Sequence, residues 1–179
     1  ARIFYDRLEA VVAAFTAERM HRRRAAAMRL QSVMLVRQLR FDLVRTFNER
    51  RLPWLIGARY RADRAYALNH LAEGLVRTGE MARGIEAFRE ASTLPQSPLN
   101  TAIVKDNLGA ALRRVGRYQD ALAAHEEALA FFSATKATRS VGVVLNRIAL
   151  VWEAVGDYRQ ALDAGARALA AFTEAGDTT

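Results

Sequence analysis

Cysteine is missing altogether, which excludes disulfides and thiolate metal sites. There are only 3 prolines, and aromatic residues make up 8% of the 179 residues. No Gly or Pro precedes Pro53, so the stretch from Ala1 to Arg51 has nothing to break a helix. No run approaches the ~18 consecutive apolar residues of a membrane-spanning helix. No secretory leader is visible, so the cytoplasm is the expected location. The phosphate-loop pattern Gly-x-x-x-x-Gly-Lys and the nucleophile elbow Gly-x-Ser-x-Gly are both absent. His21, His70 and His125 stand far apart. No second His stands at metal-binding spacing from any of them, so they read as packing residues. Glu126 and Glu127 are adjacent and cannot share a helix face. No catalytic residue, metal or cofactor is expected.

What the chain has is helix-forming apolar sequence, 51% in all, and a net charge of +8. That apolar content excludes disorder as the main state. The charge is uneven: residues 1–64 hold 15 Arg against 6 acids, whereas residues 65–179 are close to neutral. Phe4, Leu8, Val11, Val12 and Phe15 space as one helical stripe. Leu30, Val33, Met34 and Val36 run on with Leu43, Val44 and Phe47 as a second, with the break expected among Arg22, Arg23, Arg24 and Ala25. Trp54, Leu55 and Ile56, after Pro53, are expected to tuck inward, with Gly57 as a hinge. Residues 92–101, with two prolines, form the clearest loop.

From residue 62 onward the chain repeats. Leu108, Leu112 and Val115 recur on one helical face until Gly116, which ends a helix without steric cost. Tyr118, Leu122 and Leu129 then mark a second helix. Ala121, His125 and Ala128 follow Gly116 at the offsets at which Gly84, Phe88 and Ala91 follow Gly79, and Ala161, Gly165 and Ala168 follow Gly156. The heading glycines lie 37 and 40 residues apart.

This pattern of a large residue, Leu-Gly, Ala, an aromatic and Ala resembles the tetratricopeptide repeat. Lys105 and His125 stand where the family has aromatics. The 40-residue period resembles the kinesin-light-chain class, also found in large bacterial signalling ATPases of the STAND type. The resemblance implies an all-α, right-handed α-solenoid of helix hairpins. Residues 1–57 are expected as a basic N-terminal helical segment, a hairpin or a worn repeat. Three repeats follow within 58–179, over about 62–98, 99–138 and 139–179. A fourth would begin just past Thr179, so a fragment of a longer protein, or an end with a bare apolar face, is expected.

In this family the first helix of each pair lines a concave groove. The resemblance therefore places Tyr66, Asn69, Glu73 and Arg77 in the groove from the first repeat. Asp106, Asn107, Ala110, Arg113 and Arg114 come from the second, and Val143, Asn146, Leu150 and Glu153 from the third. Asn69, Asn107 and Asn146 resemble an asparagine ladder whose amides bond a peptide backbone. Asp106 is placed to hold a guanidinium, giving a mixed groove with a positive centre that suits an acidic or backbone-presenting peptide. The expected function is a non-enzymatic protein- or peptide-binding module, the sensor or scaffold of a larger bacterial regulator that contacts other domains of its own chain. A stand-alone peptide-sensing regulator, like the Bacillus response-regulator phosphatases, is the second reading. Nucleic-acid binding through Arg19, Arg22, Arg23 and Arg24 is the third, weakened by the lack of interleaved aromatics.

Overall fold

A computed structural model describes residues 21–57 and 60–176. Among these residues every regular element is a helix. Two compact units divide between Pro95 and Gln96.

In the first unit, α1 (His21–Arg37) and α2 (Phe41–Arg51) form a hairpin, followed by a 3-10 turn over Leu52–Trp54. The hairpin closes on Met28, Leu35, Val44 and Phe47. Helix α1 runs unbroken through Arg22–Ala25, contrary to the expected break there. The chain turns instead at Leu39, which takes a left-handed φ of 55° while 71% exposed. The amide of Arg40 then bonds the carbonyl of Leu35 at 3.0 Å. Because no glycine marks this turn, the apolar stripe reads straight through it. The stripe Phe4–Phe15 lies outside the described residues. Of the three residues after Pro53, only Leu55 is buried; Trp54 and Ile56 are exposed.

Helices α3 (Arg61–Arg77) and α4 (Met81–Thr93) form the next pair, and α3 also packs on α1 and α2. Gly74 permits that approach. A Cβ there would meet the backbone nitrogen of Arg45 at 2.9 Å.

The second unit comprises α5 (Pro98–Arg114), α6 (Tyr118–Ala134), α7 (Thr138–Val155) and α8 (Tyr158–Glu174). The loop before it is shorter than residues 92–101. Pro98 opens α5, where its missing N–H is not needed, and the Ser97 hydroxyl accepts from Asn100 N at 3.3 Å. Successive helices pack on each other, and α5 also touches α7. One turn geometry joins them all. Gly116, Lys136 and Gly156 have φ of 76°, 54° and 87°. The next amide bonds back to Leu112, Phe132 and Trp152, respectively, at 2.9–3.0 Å, a Schellman closure. The turn between the second and third repeats is thus the same as the turns within them.

Candidate functional site

Helices α5 and α7 lie side by side, and Asp106 ties them. Its Oδ2 accepts from Arg147 Nη1 on α7 at 2.6 Å. Its Oδ1 lies 2.9 Å from His125 Nδ1 on α6. A carboxylate only accepts, so His125 donates from Nδ1. Three helices of two successive repeats therefore meet at one buried carboxylate. The expected guanidinium partner exists, but it comes from the following repeat rather than from Arg113 or Arg114.

His125 is fully buried. A Cβ on Gly109 would lie 2.8 Å from its ring, so glycine in the Leu-Gly pair makes room for the imidazole. This His125 contact was hidden in the sequence because the carboxylate sits on the other helix of the pair, 19 residues away. Lys105, the other departure from the aromatic pattern, pairs with Glu127 across α5 and α6 at 3.0 Å.

Beside this tie, α5 and α7 each carry a row of outward side chains at helical spacing. Ile103, with half-buried Asn107 and Ala110 and exposed Arg114, runs along α5. Val143, Asn146 and Leu150, all exposed, run along α7. Arg113 is half-buried and Glu153 exposed. Relative to the left-handed glycines, Asp106 rather than Asn107 occupies the place of Asn69 and Asn146, ten residues ahead of Gly116, Gly79 and Gly156. The ladder position in the second repeat is thus a carboxylate.

In the first unit Asn69 is buried. The Tyr66 ring meets His70 edge-on at 4.6 Å between centroids, and burial raises the pKa of its hydroxyl. Glu73 lies 3.8 Å from His70. The Arg77 guanidinium lies 5.1 Å from the centroid of the Phe41 ring. Sequence reasoning also missed Arg51. It is buried, and its guanidinium nitrogens have no hydrogen-bond partner, as is also true of the Gln31 amide. Burial pushes its pKa down to about 10, with Asp63 opposing the shift.

Of the basic N-terminal cluster, Arg19 lies outside the described residues. Arg23 is exposed, and Arg24 is held 4.1 Å above the Trp54 ring, a cation–π contact that occupies it. No group of residues that could hold a metal ion occurs among the described residues. No described helix is long and apolar enough to cross a membrane.

The tetratricopeptide-repeat family model matches residues 98–174. No curated protein sequence matches the chain. Among solved structures, apo RapI superposes with a TM-score of 0.78 at 16% identity, over 97% of this chain and 63% of RapI. A kinesin light chain with nearly identical tetratricopeptide-like repeats from Podosopora anserina gives 0.72 at 17% identity, over 97% of this chain and 87% of that one. PlcR of Bacillus thuringiensis, solved with the peptide PapR7 and DNA, gives 0.58 at 14% identity, over 90% of this chain and 73% of PlcR. This chain therefore spans less than two thirds of the length of RapI. At these identities the likeness shows the fold, an all-α tetratricopeptide solenoid.

Proposed function

We propose that this chain, which carries tetratricopeptide repeats over residues 98–174, is a non-enzymatic module that binds an extended peptide along α5 and α7. The observation that carries this reading is the pair of open stripes. Ile103, Val143 and Leu150 stay exposed although each is apolar, and Asn146 stands exposed between the last two. Apolar side chains beside an amide suit a strand of backbone with alternating apolar side chains. Arg113 and Arg114 at the end of α5 add charge for a carboxylate on the ligand. The Asp106–Arg147 tie fixes the spacing of the two helices, so the surface is preorganised.

The test is selection of peptides from a displayed random library against the chain, followed by affinity measurement on variants. Arg113→Ala with Arg114→Ala, Asn107→Ala and Asn146→Ala are expected to weaken the selected peptides, by about 2–5 kcal/mol where a buried charge contact is lost. Arg22→Ala is expected to leave them unchanged. Peptides that bind the groove variants normally and are lost with Arg22→Ala would move the site to the N-terminal segment.

The sensor or scaffold role in a larger bacterial regulator rests on the 40-residue period. An upstream Gly-x-x-x-x-Gly-Lys motif in the complete gene supports it. A small peptide gene alongside supports instead a stand-alone peptide sensor, a reading favoured by the likeness to PlcR, which was solved with a peptide.

A further inference from the structure

A cleft of about 590 Å³ opens between the end of α6, the first half of α7 and the second half of α8. Small-molecule sites span ~300–1,000 Å³. Its floor is apolar, made by Val141 and Leu145 of α7 and Ala171 of α8. Its rim carries Lys136, Arg167 and Glu174.

The second repeat fills the corresponding positions differently. Fifteen residues after Gly116 stands the half-buried ring of Phe131, whereas fifteen residues after Gly156 stands Ala171. Lys105 and Glu127, eleven residues before and after Gly116, pair across their two helices at 3.0 Å. Eleven residues before and after Gly156 stand Leu145 and Arg167. The third repeat therefore has a methyl group in place of a ring, and a cation without the partner across the helices. Arg167 keeps only Asp163 of its own helix, an exposed pair at 3.5 Å that contributes little. Glu127 stays 59% exposed although α7 packs on α6. Arg167 thus stands on a flank that a following helix leaves open. The third signal is Lys136, held at a left-handed φ of 54° where Gly116 and Gly156 close the same turn without strain. Strain kept at a side chain that lines a site points to a use for that side chain.

We propose that the cleft binds an organic carboxylate with an aromatic or branched apolar body. The apolar body rests over Leu145 and Ala171, in the place that the Phe131 ring takes one repeat earlier. Lys136 and Arg167 receive the carboxylate, and two cations against the single Glu174 favour an anion. A free aryl or alkyl acid and the C-terminal residue of a polypeptide share this chemistry. The cleft has no residue in common with the stripes of α5 and α7, so the peptide-binding reading and this one fail independently.

Titration of the full 179-residue chain with N-acetylphenylalanine, followed by amide NMR shifts, tests it. Saturable shifts are expected within residues 133–145 and 167–174. N-acetylphenylalaninamide, which lacks the carboxylate, is expected to bind roughly tenfold more weakly. Ala171→Phe is expected to abolish binding while the melting temperature holds or rises, because the ring is then supplied from within. Lys136→Gly and Arg167→Gln are each expected to weaken binding several-fold. Lys136→Gly does so as the melting temperature rises, a combination that a merely structural lysine does not give. An acetylated peptide ending in Phe that binds more tightly than the single residue assigns the cleft to a chain terminus, and equal binding assigns it to a small acid. No saturation at millimolar acid overturns the proposal, as does equal binding of the amide. So does binding that survives Ala171→Phe, or Lys136→Gly combined with Arg167→Gln.

Discussion

Asp106 and Arg147 lie 41 residues apart in sequence and are joined at 2.6 Å, so the first helix of one repeat holds the first helix of the next. The same carboxylate receives His125. Removing it leaves a buried imidazole N–H without an acceptor, and such orphaned donors cost about 1–3 kcal/mol. Asp106→Ala is accordingly expected to lower stability by that amount in chemical denaturation. In a double-mutant cycle, Asp106→Ala and Arg147→Ala should be non-additive. Additive losses would show that the two side chains do not act together.

Gly109 is sterically committed to the His125 ring. Gly109→Ala is expected to destabilise by about 1–3 kcal/mol, as overpacking does. In a His125→Ala background the same change should be nearly neutral, because the ring it would strike is gone. Equal losses in both backgrounds would place the strain elsewhere.

The left-handed turns make opposite demands at different residues. Gly116→Val puts a β-branched residue at positive φ and is expected to lower stability by about 1 kcal/mol or more. Lys136 already bears such strain at φ 54°. Lys136→Gly is therefore expected to raise stability, by up to about 1 kcal/mol. Melting temperatures that move the wrong way in either variant would refute the turn argument.

The buried Arg51 guanidinium has a folded pKa of about 10, well below its ordinary value, chiefly from desolvation. The unfolded chain therefore binds that proton more tightly. The burial cost is present in full at neutral pH and is relieved only as pH climbs above about 10. A shift of this size is worth on the order of 3 kcal/mol. Asp63 keeps a second partner in Arg29 at 3.4 Å. Arg51→Met is thus expected to leave the melting temperature unchanged or raise it, while Asp63→Ala lowers it by leaving Arg51 uncompensated. A marked drop with Arg51→Met would mean that the cation is held by more than Asp63.

The repeats were legible because glycine marks three of the left-handed turns, and because Leu, Ala and aromatic residues recur at fixed offsets from it. Leu39 and Lys136 carry no such mark. For that reason the apolar stripe reads straight through the α1–α2 turn at Leu39, and nothing in the sequence marks the repeat junction at Lys136 as left-handed. The asparagine series was visible as a residue type, and its register was legible too. Asn107 and Asp106 are neighbours, but counting back ten residues from Gly116, as from Gly79 to Asn69 and from Gly156 to Asn146, puts Asp106 in the position. The Asp106–His125–Arg147 tie joins three helices, and no single-helix spacing rule finds such a contact. Arg51 looked like one of many exposed arginines, because burial by another segment leaves no local trace.

The left-handed turns at Gly116, Lys136 and Gly156 fall at equal intervals and close in the same way. A single helix with its turn, rather than a helix pair, is then the smallest piece that this architecture can gain or lose without disturbing a junction. Such an event has a parity. Two pieces together leave every later helix in its role. One piece alone would fit the turns equally well yet exchange the roles of all helices beyond it, moving the open stripe now on α7 to a helix of the opposite kind. A lineage could therefore keep its fold through a one-helix insertion while losing its ligand surface in that single step.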